Sequence, residues 1–414
     1  MLTKKWAGAA VAVAMVLGLA ACSGQDDNPS GGDSGDPITV GVLGPISGAF
    51  ADAGLNYRQG AQIAADQINA AGGVLGRQIK IEAKDTAAGP QEASQAVRDF
   101  VSSGTNFLIG ELSSANCLAD APLVDQLDAV FITGICSVEE LTGQNGQAAP
   151  YTRTFRAGAT SSANIVAMAD AIGRRFPQVT TYDSFAFDYV TGHLQWDQYV
   201  QAYADNGKPI TVGKDLWVPM DQQNYGSQIS VLATASTEGE HKGLYIGTYG
   251  AGTASFLQQA EPYDFLKNYE VVVTPGGYYP VARDLNGSAP LVWNGYEYNW
   301  AAYDTPENDA FVADFEQLAG KKPITWSYVS YVAVLAYAAA IEKAGSDAPE
   351  AVAAALEGIT FSSPQGEYLI DAVTHNGSAN IVLMETEGDA SDPEKVKMLE
   401  TIVIPYTDTV TFNY

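Results

Sequence analysis

The sequence predicts an α/β protein built as two doubly wound parallel-sheet lobes. Three observations carry this. Short apolar runs alternate with longer segments of helical spacing. The alternation pauses at a Gly-, Asn- and Pro-containing stretch (143–150) and then restarts. The chain of 414 residues also exceeds one ordinary core.

In chain order, ITVGVL (38–43) reads as a strand closed by Gly44-Pro45, and Leu55 to Ala71 as a helix stopped by Gly72-Gly73. QIKIEAKD (78–85) alternates as a strand, and PQEASQAVRDFVSSG (90–104) is a helix with Pro at its start and Gly at its end. FLIGE (107–111), SANCLADAPLVDQLD (114–128) and AVFITG (129–134) continue the rhythm. After the pause, helices at 161–176, 192–206, 225–236 and 252–261 alternate with strands at 179–187, 209–218, 243–247 and 269–274. The Pro-, Gly- and Tyr-rich stretch from Pro275 to Pro306 reads as mostly loop. Helices return at Pro306–Ala319, Trp326–Ala344 and Ala348–Leu356, and strands around 367–371 and 380–386 are expected to join one lobe. Two such lobes leave a cleft at the carboxyl ends of their strands.

Composition narrows the function. Hydrophobic residues are 46% and charged residues 17%, the balance of a folded chain. Lys and Arg total 21 against 48 Asp and Glu, a net charge of -27. That balance argues against a nucleic-acid partner, whose phosphates need clustered cations, and disfavours adsorption to anionic lipid. Three His and three Cys argue against a metal site and against a disulfide scaffold. No cofactor is expected.

Residues 1–21 have a signal peptide's basic start, a short apolar run (Ala7 to Leu19) and small residues before Cys22. The run is shorter than the roughly 20 apolar residues that span a bilayer. Leu19-Ala20-Ala21-Cys22 resembles the bacterial lipobox, which makes Cys22 the expected lipidation site and the outer face of the cytoplasmic membrane the expected location. Residues 22–37 hold Ser, Gly, Asp and Pro and read as a flexible tether. The apolar stretch Tyr328 to Ile341 is too short for a span and suits a buried helix.

Several segments together resemble the type I periplasmic solute-binding proteins of the leucine/isoleucine/valine-binding group. ITVGVLGPISGAFADAG with GAQIAADQINAAGGVLGRQIKI is similar to that family's opening. FLIGELSSA and FITGICSVEELT are similar to its next two strand–loop units. SYVAVLAYAAAIEKAGS with PEAVAAALEGITFSSPQGEYLID is similar to its closing helices and strand. The resemblance covers roughly 38–386. It implies lobes of 38–157 with 294–365 and of 158–293 with 366–414, joined by a hinge of three crossings. It also implies a monomer that binds a small molecule, catalyses nothing, and hands its solute to the permease and ATPase subunits of an ABC importer. A ligand-sensing lipoprotein that signals to a membrane partner is the alternative.

Candidate site residues follow the strand ends. Ser113 and Ser114 lie where strand 107–111 gives way to a helix, where a Ser either caps the helix or helps its N-terminus hold an anion. By the resemblance, Ser114 would hold the ligand's carboxylate, Ile135 would offer its carbonyl and Ser137 its hydroxyl and N–H. Tyr189 and Tyr249 match aromatic positions that close over the ligand, and Trp326 an aromatic at the pocket wall. Cys117 and Cys136 lie on neighbouring loops in an oxidising compartment and are expected to form a disulfide.

Two departures from the family bear on the ligand. Gly276 stands where amino-acid binders carry a Glu that pairs the ligand's ammonium, and Ala53 where they carry an aromatic. An α-amino acid would then need Glu111 or Asp188 as the partner of its ammonium, because burying that charge unpaired costs several kcal/mol. A bulkier or non-zwitterionic solute, such as an amide, a urea, or an aromatic or short-chain carboxylate, suits the freed space. An exported hydrolase is disfavoured: the chain contains no Gly-x-Ser-x-Gly or His-Glu-x-x-His motif, and His193, His241 and His375 are scattered.

Overall fold

The computed structural model describes residues 35–86, 89–144, 146–275 and 278–409. The signal peptide, Cys22, most of the tether and Gly276 lie outside the described residues.

The first lobe opens with β1 (Ile38–Gly44), α1 (Ala51–Ala70), β2 (Ile79–Asp85), α2 (Pro90–Ser102), β3 (Phe107–Gly110), α3 (Ser114–Gln126), β4 (Val130–Thr133) and β5 (Thr154–Arg156). The five strands are parallel in the order β2-β1-β3-β4-β5. Strand alternation sorts the core: Val40, Val42, Ile109 and Ile132 face α1, whereas Leu108 and Phe131 face α2 and α3. α1 gives way to Gly72 and Gly73, whose φ values of 111° and 78° an L side chain rarely adopts.

The second lobe runs through α4 (Ser161–Arg175), β6 (Thr181–Phe187), α5 (Val190–Asp205), β7 (Thr211–Val218), α6 (Gly226–Ala235), β8 (Lys242–Gly247), α7 (Ala251–Ala260), β9 (Val271–Pro275), α8 (Tyr278–Asp284) and β10 (Val292–Tyr296). The chain then forms α9 (Pro306–Ala319), α10 (Thr325–Ala344), α11 (Pro349–Leu356), β11 (Thr360–Ser363), β12 (Gly366–Leu369), β13 (Ile381–Gly388) and β14 (Val396–Ile404). The second sheet has the order β14-β13-β10-β9-β8-β6-β7, with β13 and β14 antiparallel at one edge.

α10 is the buried helix expected from Tyr328 to Ile341. It packs along α1, and its Tyr337 hydroxyl reaches the carbonyls of Leu108 and Val130 at 2.8 and 2.7 Å. The chain therefore returns from the second sheet to the first lobe and goes back to it at β13.

Several expectations need correction. The stretch 275–306 is not mostly loop: it holds α8 and β10, whose Val292 and Trp293 are buried. Its Gly and Pro residues bound short elements instead of preventing them; Asn286 and Gly287 form a turn with φ of 52° and 93°. The strand expected near 367–371 pairs with β11 in a separate two-stranded sheet, and only the one near 380–386 joins the large sheet. β5 and β14 were not expected; three residues are too few for a period, and β14 is an edge strand with alternate residues exposed.

Candidate functional site

In the first sheet, β1 lies between β2 and β3, so the connections leave it in opposite directions and open a crevice at the carboxyl ends of β1 and β3. The loops after β3 and β4 carry the predicted polar residues. Ser113 precedes α3 with extended backbone (φ -87°, ψ 124°), is exposed, and makes no side-chain capping bond. Ser114 is the first helical residue and half-buried, and the first turn itself holds no acid. After β4, Ile135 is buried and Ser137 half-buried. The Ser137 carbonyl accepts from the N–H of Ser161 at 2.8 Å, so this loop meets the start of α4.

Cys117 and Cys136 are bonded, with Cα atoms 6.4 Å apart. The bridge ties the first turn of α3 to the loop after β4, and closing a loop of this length stabilises the fold by about 3 kcal/mol.

Arg156, at the end of β5, is fully buried beneath the Ser137 loop. One terminal nitrogen donates to the Cys136 carbonyl and the other to the Val138 carbonyl at 2.7 Å, while Nε donates to Thr142 Oγ1 and Asn376 Oδ1 at 3.2 Å each. Burial pulls its guanidinium down to about 10, opposed by Glu139 and Glu297, so it stays charged at neutral pH. Glu297, just after β10, accepts from Asn164 Nδ2 at 3.1 Å and from the Ala159 N–H at 3.3 Å. Burial pushes its carboxyl up to about 7, against the opposing pull of Asn164 and Arg156. Arg156, Glu297 and Asn376 belong to the three segments that pass between the lobes, so one polar network holds all three crossings. Sequence reasoning missed both Arg156 and Glu297, each an ionisable residue inside an otherwise apolar or aromatic run.

Tyr189 and Tyr249 follow β6 and β8 in the second lobe, their ring centroids 6.1 Å apart at 71°. Burial pushes both hydroxyls up. Trp326, in the first turn of α10, lines a narrow cavity with Tyr278, Tyr279, Asn294, Tyr296 and Ile324. None of the predicted serines and neither predicted tyrosine lines that cavity. Tyr278 and Tyr296 were missed because their stretch reads as loop. The signal that marks them is the density of aromatics in YYP (278–280) and VWNGYEYNW (292–300).

Other expectations resolve differently. Ala53 is buried in the first turn of α1, beside Gly54, which packs against Pro45. Asp188 is exposed and pairs with His193 Nε2 at 2.9 Å. Glu111 does not reach into an open cleft: it is 2% exposed and accepts from Asn116 Nδ2 at 3.0 Å. The histidines are separately engaged, His241 with Glu270 at 2.8 Å and His375 stacked on Phe155 at 4.2 Å.

Two doubly wound lobes joined by three crossings, with polar strand ends on one and a tyrosine cluster on the other, define a two-lobed solute-binding protein. The model of the family described as periplasmic binding protein matches residues 37–391, and the chain belongs to that family. It is 24% identical over 371 residues to the leucine-, isoleucine-, valine-, threonine- and alanine-binding protein of Pseudomonas aeruginosa, covering 87% of this chain and 92% of that one. Its fold is similar to that of an amino acid ABC transporter substrate-binding protein from Pseudomonas fluorescens Pf-5 (TM-score 0.78, 21% identity, 90% of this chain and 97% of that one). It is also similar to an ABC transporter solute-binding protein of R. palustris in complex with benzoate (TM-score 0.74, 19% identity, 89% and 97%). Among the described residues no helix is long and apolar enough to cross a membrane.

Proposed function

We propose that this protein is the substrate-binding component of an ABC importer, tethered outside the cytoplasmic membrane through lipid on Cys22. In this reading, residues 38–157 with 294–365 and residues 158–293 with 366–414 move as lobes about the three crossings. They close on a small solute that bears a carboxylate or carbonyl and an apolar or aromatic body. Closure follows from differential affinity, because only the closed form touches the solute with both lobes.

The observation that carries this reading is the start of α3: a helix N-terminus at the strand-order switch, with a serine whose hydroxyl does not cap the helix and no acid in the first turn. Ser114 and Ser137 would hold the solute's oxygen, and Tyr189, Tyr249 and Trp326 would supply apolar area with a polar edge. The Pseudomonas relative's named amino acids and the R. palustris protein's benzoate both bear a carboxylate, in keeping with this chemistry.

A thermal-shift panel of leucine, valine, benzoate, 4-hydroxybenzoate, acetamide and urea tests the proposal. One compound is expected to raise Tm by mass action, worth about 2.7 kcal/mol at a hundredfold excess over Kd. Ser114→Ala with Ser137→Ala should weaken that compound's binding at least tenfold, since a hydrogen bond to a charged group contributes about 1.5–3 kcal/mol. Unchanged affinity in the double variant would remove the serines from the site. For the anchor, Cys22→Ser is expected to move the protein from the membrane to the soluble fraction; continued membrane retention would rule out lipid at Cys22.

A further inference from the structure

We infer that the first lobe holds a hard divalent cation beneath the turn that carries Ser113 and Ser114, bound by Glu111, Asn116 and Asp120. Glu111 immediately follows β3, while Asn116 and Asp120 stand one turn apart on the same face of α3. Their exposures are 2%, 3% and 0%. Asn116 Nδ2 donates to Glu111 Oε2 at 3.0 Å and to the Thr86 carbonyl at 3.3 Å, and Ser94 Oγ donates to Asp120 Oδ1 at 3.1 Å. Asn116 Oδ1 and Asp120 Oδ2 meet no hydrogen-bond partner, while the Glu111 carboxylate also draws on the Thr86 side chain and the Leu112 N–H.

Charge compensation separates this cluster from the other deeply buried acids. Asp183 has Lys242 at 2.6 Å, and Glu297 has the field of Arg156. Among the described residues no salt bridge joins Glu111 or Asp120 to a Lys, Arg or His, and the neighbouring charges that raise their carboxyls are acidic, Asp85 beside Glu111 and Glu111 beside Asp120. Burying two carboxylates without a positive partner costs several kcal/mol each. A ligand set made only of carboxylate, amide and hydroxyl oxygens selects a hard cation. Among the described residues no three His, Cys, Asp or Glu converge as a metal cluster, so hydroxyls and water would complete the coordination. An ion here would place positive charge under the serine pair and stiffen the turn that presents it.

The test uses the full chain stripped with EDTA and titrated with CaCl2 against NaCl of matched ionic strength, with no solute present. CaCl2 is expected to raise Tm saturably where NaCl does not. Calorimetric titration should give one site, with Ca2+ affinity at least tenfold weaker in Glu111→Gln and in Asp120→Asn. Without Ca2+ both variants should melt at or above the wild type, since each removes an uncompensated buried charge; that also guards against a folding failure being read as lost binding. No Ca2+-specific rise in the wild type, as protons or a buried water in the cluster would give, overturns the inference. So does a rise retained in both variants.

Discussion

Arg156→Met is expected to destabilise the protein by about 3–5 kcal/mol, the cost of removing one partner from a buried charged network. The methionine fills much of the volume but donates nothing. The carbonyls of Cys136 and Val138 lose their donors, and the Asn376 side chain loses its charged partner. Glu297 and Glu139 also lose the Arg156 charge that favours their ionised forms. Urea unfolding of the wild type and variant checks this. Arg156→Lys should recover only part of the loss, because a point-like ammonium cannot serve the separate acceptors of a planar fork. A loss under about 1 kcal/mol in Arg156→Met would mean that the network does not hold the crossings together.

The second large effect is a pH dependence carried by Glu297. Its folded carboxyl sits at about 7 against an ordinary 4.5, so the folded protein binds more protons than the unfolded chain between those values. Stability from this group is therefore greatest below about pH 4.5 and falls as pH rises through about 7, by an amount on the order of 3 kcal/mol. Glu297→Gln keeps an acceptor for Asn164 and Ala159 but cannot ionise. The variant should exceed the wild type in Tm at about pH 8, and the two should converge as pH falls toward about 4.5. The wild-type-minus-variant difference isolates this group from Glu111, Asp120 and Glu139, whose carboxyls burial also pushes up. A difference that stays constant across that window would show that Glu297 keeps its charge through it, with Arg156 compensating the burial.

The sequence by itself determined the α/β class, the order of most elements, and the Cys117–Cys136 pairing. These rest on local chemistry: apolar period, Gly and Pro punctuation, and an oxidising compartment with two cysteines on neighbouring loops. It also placed Ser113, Ser114, Ile135 and Ser137 at strand ends, because a strand–loop–helix junction is visible in the residues that form it. Only the tertiary structure decided which ionisable groups are buried together. Arg156, Glu297 and Asn376 are separated by long stretches of chain and meet because three segments cross between the lobes. Glu111 looks from sequence like a candidate for an open cleft, yet it lies under its own loop because α3 brings Asn116 and Asp120 over it. β10 and α8 were hidden for the opposite reason: their Gly and Pro content signals turns locally, and burial against β9 and β13 overrides it.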